Sequence, residues 1–301
     1  MTLGELYRFA LTRGMEVDPR GEEGVRRILA GRREAYGRLE EEEKARFDTE
    51  RLTNPYGDLR IVWGKEQTEV RGLSVGLTPG AEEVVAVRIL RNSGAPADLL
   101  ISYSSYAFPS KVAFADVREL RAELLSRAGV SAHRAWACVQ LGRPMDRRAE
   151  DIARLLDVPV LVAGSVVDLV SYAFLSQQVQ EVERVWEVLE ALWALPECRA
   201  LGVPELVAGD VEGRAGRVHW GPLSEEGFRA LAEAGVGTVL TSGLRKGYIR
   251  TARRFGVHLV RLPRDVLPSL GMNLLLDEIR KKFGELSVFP CANFVRVERD
   301  V

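Results

Sequence analysis

Short runs of apolar residues alternate along this chain with longer segments whose apolar positions recur at helical spacing. The short runs predict strands at 73–77, 98–102, 158–163, 239–241 and 257–260, with one or two closing strands within 286–297. The periodic segments predict helices at 2–13, 22–47 with a break near Gly37, 81–92, 114–128, 149–156, 181–195, 244–255 and 268–283, and one that starts after Ser224. This alternation is typical of βαβ units and predicts an α/β fold with largely parallel sheets.

Two predictions concern individual side chains in these helices. Ser224 followed by Glu225 and Glu226 is the pattern of a helix N-cap with acidic residues in the first turn. Trp186 and Trp193 fall on the apolar stripe of the helix at 181–195, where packing in the core is favoured over a ligand platform.

The longest nearly uncharged run, 158–180, raises the question of a membrane span. Its first part is a short β-branched segment that ends at Gly164, which fits a buried strand better, and the N-terminus lacks the pattern of a secretory signal. We therefore expect a soluble, cytoplasmic protein without a membrane partner.

Composition narrows the function classes. A net charge of −1 with 46% apolar residues excludes a disordered chain and argues against a mainly electrostatic nucleic-acid binder. The 3 cysteines lack the spacing of a zinc site or disulfide framework, and the 3 histidines are isolated from one another. Standard phosphate-loop, dinucleotide, nucleophile-elbow and zinc-protease motifs are absent.

The predicted sheet still indicates where a site should lie. Ligands of open α/β sheets bind beyond the carboxyl ends of parallel strands. The segments that follow the predicted strands at this edge are 103–105, 164–165, 241–243 and 261–264.

Several segments resemble the NIF-three-like family (NGG-one-interacting factor three), whose members are often described as GTP cyclohydrolase type-two homologues. They are LTNPY (52–56) with Asp58 and Arg60, GRAGR (213–217), AGVGT (234–238), SLGMNLLLDE (269–278) and PCANFVRV (290–297). The resemblance spans nearly the whole chain and is closest to the longer bacterial form. It implies a helical N-terminal extension at 1–53, similar α/β lobes at 54–180 and 181–301, a hexameric ring, and a dinuclear metal centre.

The metal ligands that the resemblance implies are mostly replaced in this sequence. The family's His-His pair falls on Tyr103 and Ser104, and a late histidine and acidic ligand fall on Arg264 and Pro268. A further histidine-rich segment falls on 164–170, where Asp168 is kept but the histidine positions are Gly164 and Val170. Another histidine-bearing loop falls on 242–248, which contains no histidine.

Such a set cannot hold two metal ions in the family's way, because arginine does not ligate and opposes a nearby cation. We therefore predict that the protein holds no metal and no cofactor. A pair of divalent metal ions is expected only if the protein is instead a metal-dependent hydrolase. A substitute site built from His133, His258 or Asp265 is the less favoured interpretation, and His258 is expected to be a hydrogen-bonded core or edge residue.

Three hypotheses about function remain open. The first is a non-catalytic, ring-forming binding or scaffold protein, whose former metal pocket is filled by Arg264 paired with Asp168 or Asp265, or binds a small anion through Arg264, Arg245 and Lys246. The second is a metal-dependent hydrolase that acts on a nucleotide or pterin-like substrate. The third is an interaction module that assembles with a metal-bearing paralogue.

Overall fold

The computed structural model describes residues 1–142, 147–220 and 224–299. Its helices are α1 (Leu3–Glu16), α2 (Gly21–Gly37), α3 (Glu41–Lys44), α4 (Ala81–Asn92), α5 (Phe114–Arg127), α6 (Ala132–Cys138), α7 (Arg148–Leu155), α8 (Gly164–Gln178), α9 (Val185–Trp193), α10 (Pro196–Leu201), α11 (Glu225–Glu233), α12 (Lys246–Phe255) and α13 (Val266–Phe283), with a 3-10 helix at Thr49–Leu52. Its strands are β1 (Leu59–Trp63), β2 (Gly72–Gly76), β3 (Leu99–Ser102), β4 (Val160–Ala163), β5 (Glu205–Ala208), β6 (Arg217–Trp220), β7 (Val236–Thr241), β8 (His258–Arg261) and β9 (Ser287–Cys291).

The strands form two sheets of the same design. The first has the order β1-β4-β3-β2-β9 and the second β5-β8-β7-β6. In each sheet one edge strand, β1 or β5, is antiparallel and the remaining pairs are parallel. The predicted α/β class with two largely parallel sheets and preceding helices is therefore confirmed.

The closing strand lies in a different sheet from the one that the predicted lobe boundaries imply. β9 pairs in parallel with β2, in register from Gly72 with Ser287 to Gly76 with Cys291, so the chain returns to the first sheet after completing the second. The position of a strand depends on where the preceding helix ends. Helix α13, which precedes β9, packs along α8 and contributes to the core of the first sheet. By sequence β9 belongs to the predicted second lobe, 181–301, but by its pairing it belongs to the sheet of the predicted first lobe, 54–180.

Helices α8 and α13 contribute to the cores of both sheets. Val166 and Met272 pack in the core of the first sheet, whereas Leu175 and Leu270 pack with β7 and β8 of the second. The two helices approach so closely that a Cβ on Gly271 would lie 2.1 Å from the carbonyl oxygen of Val167. A glycine is therefore required where they meet.

The SLGMNLLLDE segment of α13 also carries a buried polar network. The Asn273 amide donates to Glu197 Oε1 and to the Val295 carbonyl, both at 3.0 Å, and its oxygen accepts from the Val297 amide at 3.1 Å. Arg299 binds both carboxylate oxygens of the fully buried Glu197 at 2.7 Å. The network ties the C-terminal segment to α10 and α13, which gives this motif a structural role.

The structure corrects several predicted elements. α8 begins directly after β4, where a loop was expected, and the predicted helix at 181–195 shortens to α9. Strands β1, β5 and β6 were not predicted. Trp186 and Trp193 are 41% and 50% exposed, so the prediction that both pack in the core is wrong; they lie beside the buried stripe formed by Val185, Val188, Leu189 and Leu192.

Other local predictions are confirmed. The predicted helix at 81–92 matches α4, and the Ser224 side chain caps α11 by accepting the Gly227 amide at 3.0 Å. Among the described residues, no helix is long and apolar enough to cross a membrane.

Candidate functional site

The candidate site centres on a tyrosine and an aspartate at the carboxyl edge of the first sheet. Tyr103 follows β3 directly, and Asp168 lies in the second turn of α8, the helix that follows β4. Because β3 and β4 are parallel neighbours, their carboxyl ends bring the two residues together. The Tyr103 hydroxyl donates a hydrogen bond to Asp168 Oδ1 at 2.9 Å.

An arginine from α5 completes this group. Arg121 Nη2 lies 3.7 Å from Asp168 Oδ2, close enough for an ion pair but beyond hydrogen-bond distance. Within the described residues the Arg121 side chain makes no direct hydrogen bond. Its side chain is 32% exposed, and that of Asp168 is 40% exposed. The three side chains, which we call the Tyr103–Asp168–Arg121 cluster, therefore lie at a mouth that water reaches.

A second carboxylate lies behind the cluster. Asp58 precedes β1, is 4% exposed, and accepts a hydrogen bond from the Ser165 amide at 3.0 Å through Oδ1. It thus satisfies one of the free amides in the first turn of α8, where a negative charge is stabilised by the helix dipole.

The charges of these groups are coupled. The pKa of Asp168 is raised to about 6, because burial and, to a smaller extent, the neighbouring Asp58 charge outweigh the opposing effects of Arg121 and of the Tyr103 hydrogen bond. Burial together with the Asp168 charge raises the pKa of Tyr103 well above its usual value. Tyr103 therefore remains a neutral donor at physiological pH, and Asp168 is mostly ionised.

Gly164 leaves no room for a larger side chain. A Cβ at this position would lie 2.7 Å from both Asp58 Oδ2 and the Tyr103 carbonyl oxygen. The space that the resemblance gives to a histidine is thus occupied by the Asp58 carboxylate and by backbone.

The remaining predicted pocket residues differ in their surroundings. Val170 is 3% exposed and packs in the core of the first sheet. The Ser104 amide bonds to the Leu77 carbonyl at 2.9 Å, and its own carbonyl accepts the Ser102 hydroxyl at 2.7 Å. Pro268 lies in the first turn of α13, a position that tolerates proline because its amide would have no helical partner.

The predicted anion contacts lie at the carboxyl edge of the second sheet. Arg264 follows β8, and Arg245 and Lys246 begin α12 after β7. All three are exposed, and within the described residues none forms an ion pair. Asp168 pairs with Arg121, so the interpretation in which Arg264 pairs with Asp168 or Asp265 to fill the pocket is not what the structure has.

The donor set at the cluster does not fit a dinuclear metal centre. In residues 1–142, 147–220 and 224–299, no three His, Cys, Asp or Glu side chains converge in a way that could hold a metal ion. At the cluster the acidic groups are Asp168 and Asp58. The Arg121 guanidinium, if about 4 Å from a bound cation, would oppose its binding by roughly 4 kcal/mol at an effective dielectric of about 20.

The histidines lie elsewhere. His133 is exposed, whereas His219 is buried and its pKa falls to about 4, mainly through burial. His258 is half-buried at the start of β8, an internal strand of the second sheet, and its Nδ1 accepts a hydrogen bond from the Asp210 amide at 3.2 Å. The hydrogen bond predicted for a core or edge histidine is therefore present, but the strand that carries it is not an edge strand.

Arg121 and Asp58 are the site residues that sequence reasoning missed. Asp58 belongs to a segment that carries the family resemblance, but nothing in its spacing connects it to α8. Arg121 is one of many arginines on predicted helices, and only its tertiary position, with Nη2 3.7 Å from Asp168 Oδ2, distinguishes it.

Comparison with known proteins rests on structure. A NIF3 superfamily protein from Sphaerobacter thermophilus superposes with a TM-score of 0.62 at 19% identity, covering 80% of this chain and 93% of that one. The chain has the NIF3 fold. This result confirms the fold expected from the sequence resemblance.

Two further solved structures overlap less closely. Reduced HcgD from Methanocaldococcus jannaschii gives a TM-score of 0.48 at 13% identity, covering 78% of this chain and 89% of that one. A Bacillus cereus protein related to NIF3 gives a TM-score of 0.47 at 11% identity, covering 81% of this chain and 93% of that one. No protein-family model matches the sequence, and no curated protein matches it.

Proposed function

We propose that this protein is a NIF-three-like protein that has lost the dinuclear metal centre and works as a non-catalytic binding or scaffold protein. The observation that carries the proposal is the Tyr103–Asp168–Arg121 cluster. A hydrogen bond and a guanidinium already engage the one carboxylate that is kept from the ligand set implied by the resemblance.

Gly164 gives independent support. The side-chain space at this position is filled by Asp58 and by the Tyr103 carbonyl, so the lost histidine could not be restored without moving the start of α8. The filled space therefore supports the loss of a ligand at this position.

Metal titration of matched variants tests the proposal. Wild-type protein should show no rise in melting temperature with Mn²⁺, Zn²⁺ or Fe²⁺, because Arg121 opposes a cation beside Asp168. Arg121→Gln removes that charge and should allow weak binding, whereas Arg127→Gln, an exposed change at the end of the same helix, should not.

Tight metal binding by the wild type would contradict the proposal and favour the alternative, a metal-dependent hydrolase of a nucleotide or pterin-like substrate. Equal metal responses of the two variants would contradict the role given to Arg121.

We also propose that the chain forms a cytoplasmic homo-oligomer, a hexameric ring by resemblance. The fold shared with a NIF3 superfamily protein supports this assembly. Light scattering coupled to size-exclusion chromatography should give six times the mass of the chain, and a monomeric mass would contradict the assembly.

A small anion at the edge of the second sheet is a further part of the proposal. Arg264, Arg245 and Lys246 are supported as contacts by their common position after β7 and β8 and by their lack of acidic partners among the described residues. A rise in melting temperature with phosphate or nucleotides that Arg264→Gln abolishes would support this site. No rise would contradict it.

A further inference from the structure

Helix α12 presents a row of cations that form no ion pair with any described residue. Lys246, Arg250, Arg253 and Arg254 are exposed and stand at i, i+4, i+7 and i+8, which places them along one side of the helix. Its other side, with Tyr248 and Ala252 each at most 2% exposed, packs in the core of the second sheet. We call these four residues the basic row.

The cations of the basic row have no acidic partners in the part of the chain that the structure describes. Within the described residues none of the four side chains donates a hydrogen bond or forms an ion pair; the Arg254 guanidinium lies over the Phe255 ring at 5.4 Å from the centroid. On α2 and at its C-cap, by contrast, Arg26, Arg27 and Arg38 each pair with a glutamate four residues earlier.

The surrounding sequence reinforces the local charge. Residues 234–264 contain 7 basic residues and no Asp or Glu, which leaves 35 basic and 43 acidic residues elsewhere. The net charge of −1, which by itself argues against a mainly electrostatic nucleic-acid binder, thus averages a basic segment with an acidic remainder and does not describe the local charge of this segment. The fold brings the Glu225 carboxylate against Gly247, in the first turn of α12.

The composition of the row selects the kind of partner. Protein interfaces are depleted of charge at their centre and need apolar or aromatic anchors. Exposed apolar side chains occur only at the ends of α12, at Leu244 and Phe255. Insertion into a membrane would need an apolar face, and the sheet already covers that side of the helix. Guanidinium groups that are free to bind in pairs of hydrogen bonds match phosphate oxygens.

We infer that the basic row binds the phosphate backbone of a nucleic acid without reading its sequence. From Lys246 to Arg254 the row is about 12 Å long, a length over which one strand of a duplex carries roughly three to four phosphates. Its four cations therefore match the charge spacing of the backbone. The inference is independent of the Tyr103–Asp168–Arg121 cluster and of the metal.

The test uses the full chain and two triple variants of equal charge change. Arg250→Gln, Arg253→Gln and Arg254→Gln together remove the outer part of the row. Arg26→Gln, Arg27→Gln and Arg38→Gln together remove three exposed arginines of α2 and its C-cap. Binding to a fluorescent random-sequence DNA duplex and to a single strand is measured by anisotropy as the salt concentration is varied.

Wild type and the α2 variant should bind with similar affinity and a steep salt dependence. The α12 variant should bind roughly 100-fold more weakly near 0.1 M salt, with a salt slope lower by about 2 to 3, because each phosphate contact contributes about 0.9 to the slope. Circular dichroism and melting temperature of both variants establish that they are folded.

Three results would overturn the inference. They are no measurable DNA binding by the wild type at low salt, equal losses in the two variants, and tighter binding to phosphatidylserine vesicles than to either DNA. The last result would assign the basic row to a lipid surface.

Discussion

The most informative single substitution is Gly164→Ala, because it tests whether the former ligand position is filled. The added Cβ would lie 2.7 Å from Asp58 Oδ2 and from the Tyr103 carbonyl oxygen. Ordinary carbon–oxygen contacts lie near 3.3–3.6 Å, so both neighbours must move by roughly 0.6 Å. Overpacking of this kind costs about 1–3 kcal/mol.

A hydrogen bond is lost as well if Asp58 moves. Its bond from the Ser165 amide is charge-assisted, a class worth about 1.5–3 kcal/mol, while replacing a helical glycine by alanine returns up to about 1 kcal/mol. We therefore expect Gly164→Ala to lower the free energy of unfolding by about 1.5–5 kcal/mol, measured from the midpoint of urea unfolding at unchanged slope.

Gly31→Ala is the matched control. Gly31 lies within α2, and apart from its chain neighbours and the local helix backbone no described atom lies within 4 Å of the position that an added Cβ would take. This change should therefore raise the free energy of unfolding by about 0.5–1 kcal/mol. Gly164→His should lower the free energy of unfolding by more than Gly164→Ala does. The reasoning fails if Gly164→Ala is as stable as wild type, or if Gly164→His folds with unchanged stability.

Three further predictions concern stability. Gly271→Ala should cost about 3 kcal/mol or more in thermal or urea unfolding, since its Cβ would lie 2.1 Å from the Val167 carbonyl; a cost below that of Gly164→Ala would contradict the close approach of α8 and α13. Because folding raises the pKa of Asp168 to about 6, the protonated Asp168 stabilises the folded state fully below about pH 4, and this stabilisation is lost as the pH rises through 6. Since the side chain is 40% exposed, we expect the loss in the free energy of unfolding to be about 1 kcal/mol. Asp168→Asn should flatten this part of the curve of unfolding free energy against pH. Asn273→Ala should cost about 3 kcal/mol by urea unfolding because it breaks the buried bonds to Glu197 and the C-terminal segment, and a loss near zero would show that the network contributes nothing.

The fold was predictable where the local pattern and the tertiary packing agree. α4 has helical periodicity and a glycine before its first residue, and its bounds were predicted correctly. α8 was missed because it is apolar nearly all round: Val166, Val167, Leu169 and Val170 are all buried, so no stripe marks it as a helix.

The partner of a strand or a side chain is harder to predict. β9 follows the second sheet in sequence yet pairs with β2, and Arg121 meets Asp168 from a different helix. The Trp186 and Trp193 prediction failed because the helical stripe of α9 is narrower than the run of apolar residues that defines it in sequence. These outcomes depend on how elements pack, which spacing along one chain does not encode.

The metal content of the purified protein tests most directly whether the dinuclear metal centre has been lost. Protein expressed in medium supplemented with manganese, iron and zinc and purified without a chelator would be measured by elemental analysis, with the chain concentration from amino-acid analysis. We expect well under one transition-metal ion per chain. Two ions per chain that depend on Asp168, so that Asp168→Asn loses them, would contradict it.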